Sequence, residues 1–148
     1  MKKDILNAEI VLDECMPIRI YNLFECLNYV TVLGSIWEGN KNGKLLGCCR
    51  DNNVNILITC DKAIEREQIK NIHNYSVSLV ILKSKTNDTD EVEPLAKKFI
   101  YLYLKDKYLF KERKIYVIDE DALYECFLQK EDKSGRLTIG YNEIAVKK

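Results

Sequence analysis

The stretch Asn55-Ile56-Leu57-Ile58-Thr59-Cys60-Asp61-Lys62 decides the fold. Its centre is apolar or β-branched with no polar alternation, which reads as a short strand covered on both faces. The segment 77–83 (VSLVILK) repeats that character, and 8–13 (AEIVLD), 29–33 (YVTVL) and 114–118 (KIYVI) are weaker copies of it. Stretches between these runs carry helix-period spacing. In 17–28 the apolar residues Ile20, Leu23, Phe24 and Leu27 recur at intervals of three and four, with Pro17 at a tolerated first-turn position. The residues 44–52 form a short helix, 61–72 is polar and helix-permissive, and 91–107 is the longest helix, apolar at Val92, Leu95, Phe99, Leu102 and Tyr103. Strands alternating with helices imply right-handed strand–helix–strand units and a parallel sheet of about five strands, an α/β fold.

Outward from this core, 34–43 is a loop with Gly34, Gly39, Asn40, Asn42 and Gly43 as turn formers. The residues 119–148 form a C-terminal α/β extension to a 1–118 domain. Within it 119–129 is compatible with one more helix, 130–135 is a polar turn, and 136–146 is a strand or hairpin edge, packing on the core or mediating pairing.

The whole-chain arithmetic agrees. With 148 residues and 47% hydrophobic content, the chain suits one domain with a sizeable core. Lys+Arg and Asp+Glu both number 23, which disfavours a bulk basic coat for nucleic acid and leaves room for a local basic face. No apolar run approaches the roughly 20 residues of a membrane span, and the first residues do not read as a signal peptide. The six cysteines include no C-x-x-C pair, and His73 has no cysteine at zinc-ligand spacing. They read as reduced, mostly buried small hydrophobes of a cytoplasmic protein.

In open parallel sheets, ligands bind at the carboxyl ends of the strands, near the point where strand order reverses. Two strands here end in acids: Leu12-Asp13-Glu14-Cys15 and Thr59-Cys60-Asp61-Lys62. Carboxylates on neighbouring strands about 4.8 Å apart can share one cation, and an all-oxygen donor set suits Mg²⁺ or Mn²⁺. An Asp just after a strand also serves to cap a following helix, so both readings stand at this point.

Several short segments resemble the motifs of a family of small PIN-like proteins, nucleases often linked to toxin–antitoxin systems. They are VLDECMP at 11–17, WEGNKNGKLL at 37–46, ILITCDK at 56–62, Gln68, and VILKSKTN at 80–87, in the family's order from about residue 8 to 105. The resemblance implies a three-layer α/β/α sandwich and a divalent-metal-dependent endoribonuclease, with RNA as substrate and an antitoxin protein as partner. Asp13, Glu14 and Asp61 carry over as metal ligands on Mg²⁺ or Mn²⁺, and Lys62 as the residue that sits beside the scissile phosphate or pairs with the carboxylates. Trp37, Asn42, Gln68 and Asn87 would line the site. Two departures stand out: Asn42 and Lys44 fall where the family offers an acid, and Ala63 falls where some members have a second Asp. An inactive PIN-like module working through protein pairing, including self-association, is therefore the alternative. A generic nucleotide-binding domain is the weaker third reading, because no glycine-rich phosphate loop occurs.

Other residues have plainer readings. Glu65 and Glu67 face solvent on a helix, and His73 sits in an exposed polar turn. Trp37 either lids a sheet edge or stacks on a base. Cys15, Cys48, Cys49 and Cys60 pack in the core. Lys97, Lys98, Lys105, Lys107, Lys111, Arg113 and Lys114, interleaved with Tyr101, Tyr103 and Tyr108, form a solvated face or an RNA-backbone track.

Overall fold

The computed structural model describes residues 8–40, 42–111 and 113–145. Seven strands form one sheet: β1 (Ile10–Leu12), β2 (Tyr29–Thr31), β3 (Ile56–Thr59), β4 (Ser78–Leu82), β5 (Ile115–Ile118), β6 (Leu123–Glu131) and β7 (Leu137–Glu143), in the order β2-β1-β3-β4-β5-β6-β7. The first five are mutually parallel; β6 and β7 are antiparallel additions. The α-helices are α1 (Asn42–Asp51), α2 (Ala63–Gln68) and α3 (Thr89–Lys105).

The strands are buried on both faces because each face has its own apolar layer. Ile10, Leu12, Ile56, Ile58, Val80, Leu82, Tyr116 and Ile118 point to one side, where Val92, Leu95, Phe99, Leu102 and Tyr103 of α3 pack with Phe24 and Phe110. Val11, Leu57, Leu79, Ile81, Ile115 and Val117 point to the other, where Leu45, Leu46 and Cys49 of α1 and Ile64 of α2 cover them. This is the period-two alternation of a strand with both faces apolar.

Three sequence expectations change. The helix expected at 17–28 is a 3₁₀ segment, Ile18–Phe24. Its β-branched isoleucines and Asn22 are poor α-formers, and only Ile20 and Phe24 are buried. The residues 61–72 break into α2 and a 3₁₀ turn, Ile72–Asn74, which leaves His73 exposed as expected.

The second change concerns chain reversal. The helix expected at 119–129 is β6. Asp119 Oδ1 accepts the amides of Asp121 and Ala122 at 2.8 and 2.9 Å, and Asp119 N donates to Ala122 O at 3.1 Å. That tight turn sends the chain back antiparallel along β5, pairing Ile118 with Leu123 and Ile115 with Cys126. The extension is thus a β-hairpin that continues the sheet, with no helix among its described residues. The edge expected at 136–146 is β7; Val146 lies outside the described residues.

The third change is handedness. Both β3–α2–β4 and β4–α3–β5 step the same way across the sheet, yet α2 and α3 lie on opposite faces. The two crossovers therefore have opposite hands, and the expectation of uniformly right-handed units holds for one of them only. With only a short 3₁₀ segment between β1 and β2, the Ile10–Leu12 face needs another cover. Helix α3 supplies it, with the Phe99 ring 6.4 Å from that of Phe24.

Candidate functional site

Strand β1 has β2 on one side and β3 on the other, so the order of connections reverses at the carboxyl ends of β1 and β3. The ladder runs one step beyond β1, Asp13 N donating to Ile58 O at 2.9 Å. Beyond that point Asp13, Glu14, Cys15, Cys60, Asp61, Lys62, Ala63 and Asn87 line one open cleft of about 550 Å³. The structure thus brings together the four residues expected at the centre, Asp13, Glu14, Asp61 and Lys62, with Asn87 on the rim.

Asp13 is oriented from both sides. Its Oδ1 accepts the Glu14 amide at 2.8 Å, and its Oδ2 accepts the hydroxyl of Thr59 at 2.7 Å and the Cys15 thiol at 3.6 Å. Thr59 is fully buried, and its oxygen also accepts the Asp61 amide at 3.0 Å. One hydroxyl therefore links the two acidic strand ends. Sequence reading gave Thr59 no role, although its position two residues before Asp61 was the available signal. Asp61 Oδ1 accepts the Ala63 amide at 3.0 Å at the start of α2, so the capping role and the cleft position coexist. Glu14 accepts the Gly39 amide, which ties the 34–40 loop to the cleft.

Of the remaining expected lining residues, Trp37 and Gln68 lie elsewhere. Trp37 is buried under α1 among the apolar residues of the Leu45–Leu46 layer, so it neither stacks on a ligand nor reaches the cleft. Gln68 is buried against Gly43, where α1 and α2 approach closely. Asn42 opens α1, but its side chain lies outside the described residues. Glu65, expected in solvent, is buried and accepts a hydrogen bond from the Tyr141 hydroxyl; Glu67 is exposed. Cys49 and Cys60 are buried, whereas Cys15 and Cys48 are only half-buried. Of the three tyrosines near the lysine face, Tyr103 is core, while Tyr101 and Tyr108 are exposed with Lys105 and Lys111 over their rings at 5.6 and 4.2 Å.

The cleft perturbs two thiols in opposite directions. A hydrogen bond from the Cys60 side chain, helped by Thr59 and the Cys60 amide, lowers the Cys15 thiol below its ordinary value despite burial and the charge of Asp13. The same contact, then burial, pushes the Cys60 thiol up. Tyr21 is raised by burial and by the charges of Cys15, Asp13 and Glu14. Its hydroxyl is buried without a hydrogen-bond partner among the described residues.

Among the described residues no group of three or more His, Cys, Asp or Glu side chains is arranged to hold a metal ion. The chemistry of the donors nevertheless fits a hydrated hard cation. Asp13 and Asp61 offer only oxygen, each keeps unused lone pairs, and the orphaned Tyr21 hydroxyl lies within electrostatic reach of Asp13 and Glu14. No described helix is long and apolar enough to cross a membrane. Comparison with family models, curated proteins and solved structures returned no match for this chain.

Proposed function

We propose that this chain is a PIN-like, divalent-metal-dependent endoribonuclease, working as the toxin half of a toxin–antitoxin pair. One observation carries the reading: two carboxylates from neighbouring parallel strand ends, Asp13 and Asp61, share a cleft with Lys62 at the point where strand order reverses. The motif resemblance supplies the substrate class and the antitoxin partner.

Asp13 and Asp61, with Glu14 beside them, would hold Mg²⁺ or Mn²⁺, which when bound supplies charge neutralisation and an acidified water. The chain's own groups do the rest. The Thr59 hydroxyl and Glu14 amide hold the Asp13 carboxylate in one orientation, so no reorganisation is needed when substrate arrives. Lys62, exposed at the start of α2, places a positive charge beside the phosphodiester. Asn87, exposed on the rim, offers an amide to a ribose or phosphate oxygen.

Incubating purified protein with RNA and Mn²⁺ tests this. Cleavage is expected from the wild type, and a loss of at least ~100-fold from Asp13→Asn and Asp61→Asn. Equal cleavage by the variants would overturn the assignment.

A second reading, a PIN-like module without catalysis, is favoured by the lack of a ready-made three-donor metal group among the described residues and by Asn42, Lys44 and Ala63 at the family's acidic positions. Calorimetry separates the two: Mn²⁺ binding that disappears in Asp13→Asn supports the nuclease, and no binding at millimolar metal supports the module.

A further inference from the structure

The deepest wall of the cleft contains sulfur that the proposed hydrolysis does not use. Cys15 follows the end of β1 and Cys60 follows the end of β3, two strands paired in register from Ile10–Ile56 to Leu12–Ile58. The chain turns after β1, Met16 N donating to Asp13 O at 3.1 Å, and this turn brings the Cys15 sulfur against the start of the chain beyond β3.

The contacts are close and specific. Cys15 Sγ accepts the backbone amide of Cys60 at 3.2 Å and lies 3.2 Å from Thr59 Oγ1. Cys60 Sγ lies 3.2 Å from Met16 Sδ, so the pair sits in a sulfur-rich corner. Both cysteines line the cleft, but they are not equivalent: Cys15 is half-buried and open to a small molecule, whereas Cys60 is 2% exposed and stands behind it. The other four cysteines lack this arrangement. Cys26 is exposed on its own, its thiol facing Leu23 O; Cys49 and Cys126 are buried in the opposite apolar layer, and Cys48 packs half-buried against that layer.

We infer that Cys15 and Cys60 form a peroxide-responsive dithiol across the ends of β1 and β3, with Cys15 the sulfur attacked first and Cys60 the resolving thiol. The co-reactant is a hydroperoxide. Cys15 sulfur attacks the terminal oxygen; the S–O bond forms, the O–O bond breaks, and the alcohol or water leaves with the thiol proton. Cys15 is then a sulfenic acid, oxidised by two electrons. The Cys60 thiol attacks Cys15 sulfur; the S–S bond forms, the S–O bond breaks, and hydroxide leaves as water with the Cys60 proton. Two thiols and one hydroperoxide give one disulfide, one alcohol or water, and one further water. Closing the bond removes the Cys15 thiol from Thr59 and Asp13, so the oxidised cleft has a different floor.

The test reads thiols and does not depend on any nuclease activity. Reduced full-length chain is treated with a small excess of hydrogen peroxide, denatured, assayed for free thiol, and mapped by mass spectrometry without reduction. The titratable thiols should fall from six to four, with one cross-linked peptide pair joining Cys15 to Cys60, and dithiothreitol should restore all six. In Cys60→Ser, checked for folding by circular dichroism, a dimedone-reactive sulfenic acid should accumulate on Cys15; in Cys15→Ser, Cys60 should stay reduced. A bridge through any other pair, Cys15 driven to sulfinic acid while wild-type Cys60 remains a thiol, or no loss of thiols would overturn the proposal.

Discussion

Along β3 every residue from Ile56 to Thr59 is buried, whereas along β7 none of the residues from Leu137 to Glu143 is. Both strands belong to one sheet, yet they are held by different means. β3 lies between two apolar layers, and its stability is that of the whole core. The β6–β7 hairpin joins the core through Leu123 and Cys126, with Tyr124, Leu137 and Ile139 packed at its margin, and is otherwise held by individual contacts: Arg66 donates to Leu137 O at 2.6 Å, Tyr141 to Glu65, and Lys70 pairs with Glu131 at 2.9 Å. Beyond Cys126, β6 pairs only with β7, since β5 has ended. The contrast leads us to expect that the strands presenting the cleft open only with global unfolding, while the half of the hairpin beyond Cys126 opens more readily.

The sharpest way to break this contrast is through the core. Phe99 is fully buried and its ring contacts those of Phe24, Tyr103 and Phe110. Phe99→Ala should cost about 3–5 kcal/mol in urea unfolding, with one cooperative transition. A loss below about 1 kcal/mol would mean that the core tolerates that cavity and that the two regions differ less than their burial indicates.

A smaller and local effect is expected at Gly140. A Cβ there would lie 2.3 Å from Phe127 Cζ, because the Phe127 ring covers the glycine across the strand pair. Gly140→Ala should cost about 1–3 kcal/mol, and hydrogen exchange should speed up in β6 and β7 while β3 stays protected. Equal acceleration in both regions would show the hairpin to be an integral part of the core.

The smallest effect is a pH dependence at the far turn. Asp132 Oδ1 accepts the hydroxyl and amide of Ser134 and the amide of Arg136. These bonds, the Ser134 hydroxyl first, hold its carboxyl below the ordinary value of 3.8. A lowered carboxyl stabilises the folded turn above pH 3.8, and that contribution fades as the pH falls through the folded value. Amide shifts of 132–136 should therefore move toward random-coil positions below pH 3.8, and Asp132→Asn should abolish the transition.

The parallel core was legible because Leu57, Val80 and their neighbours form unbroken apolar runs that have no other use. The acidic strand ends were legible for the same reason, since Asp13 and Asp61 follow those runs directly. The hairpin was not. In 119–129 the apolar residues suit a helix and a strand about equally, and the turn made by the Asp119 carboxylate decided between them. Glu65 could not be read as buried, because its partner Tyr141 lies 76 residues away in the chain. Trp37 and Gln68 were drawn inward by the packing of α1, which no local pattern reports.

Thr59 and Asp13, which meet through one hydrogen bond, are separated by 46 residues of chain. During synthesis, then, β1 leaves the ribosome with nothing to pair against on the β3 side, and the cleft has no existence until the later strand emerges and docks. Such long-range parallel pairing is slow compared with helix formation. Whatever chemistry the cleft performs is withheld from the nascent chain until the core around it has closed.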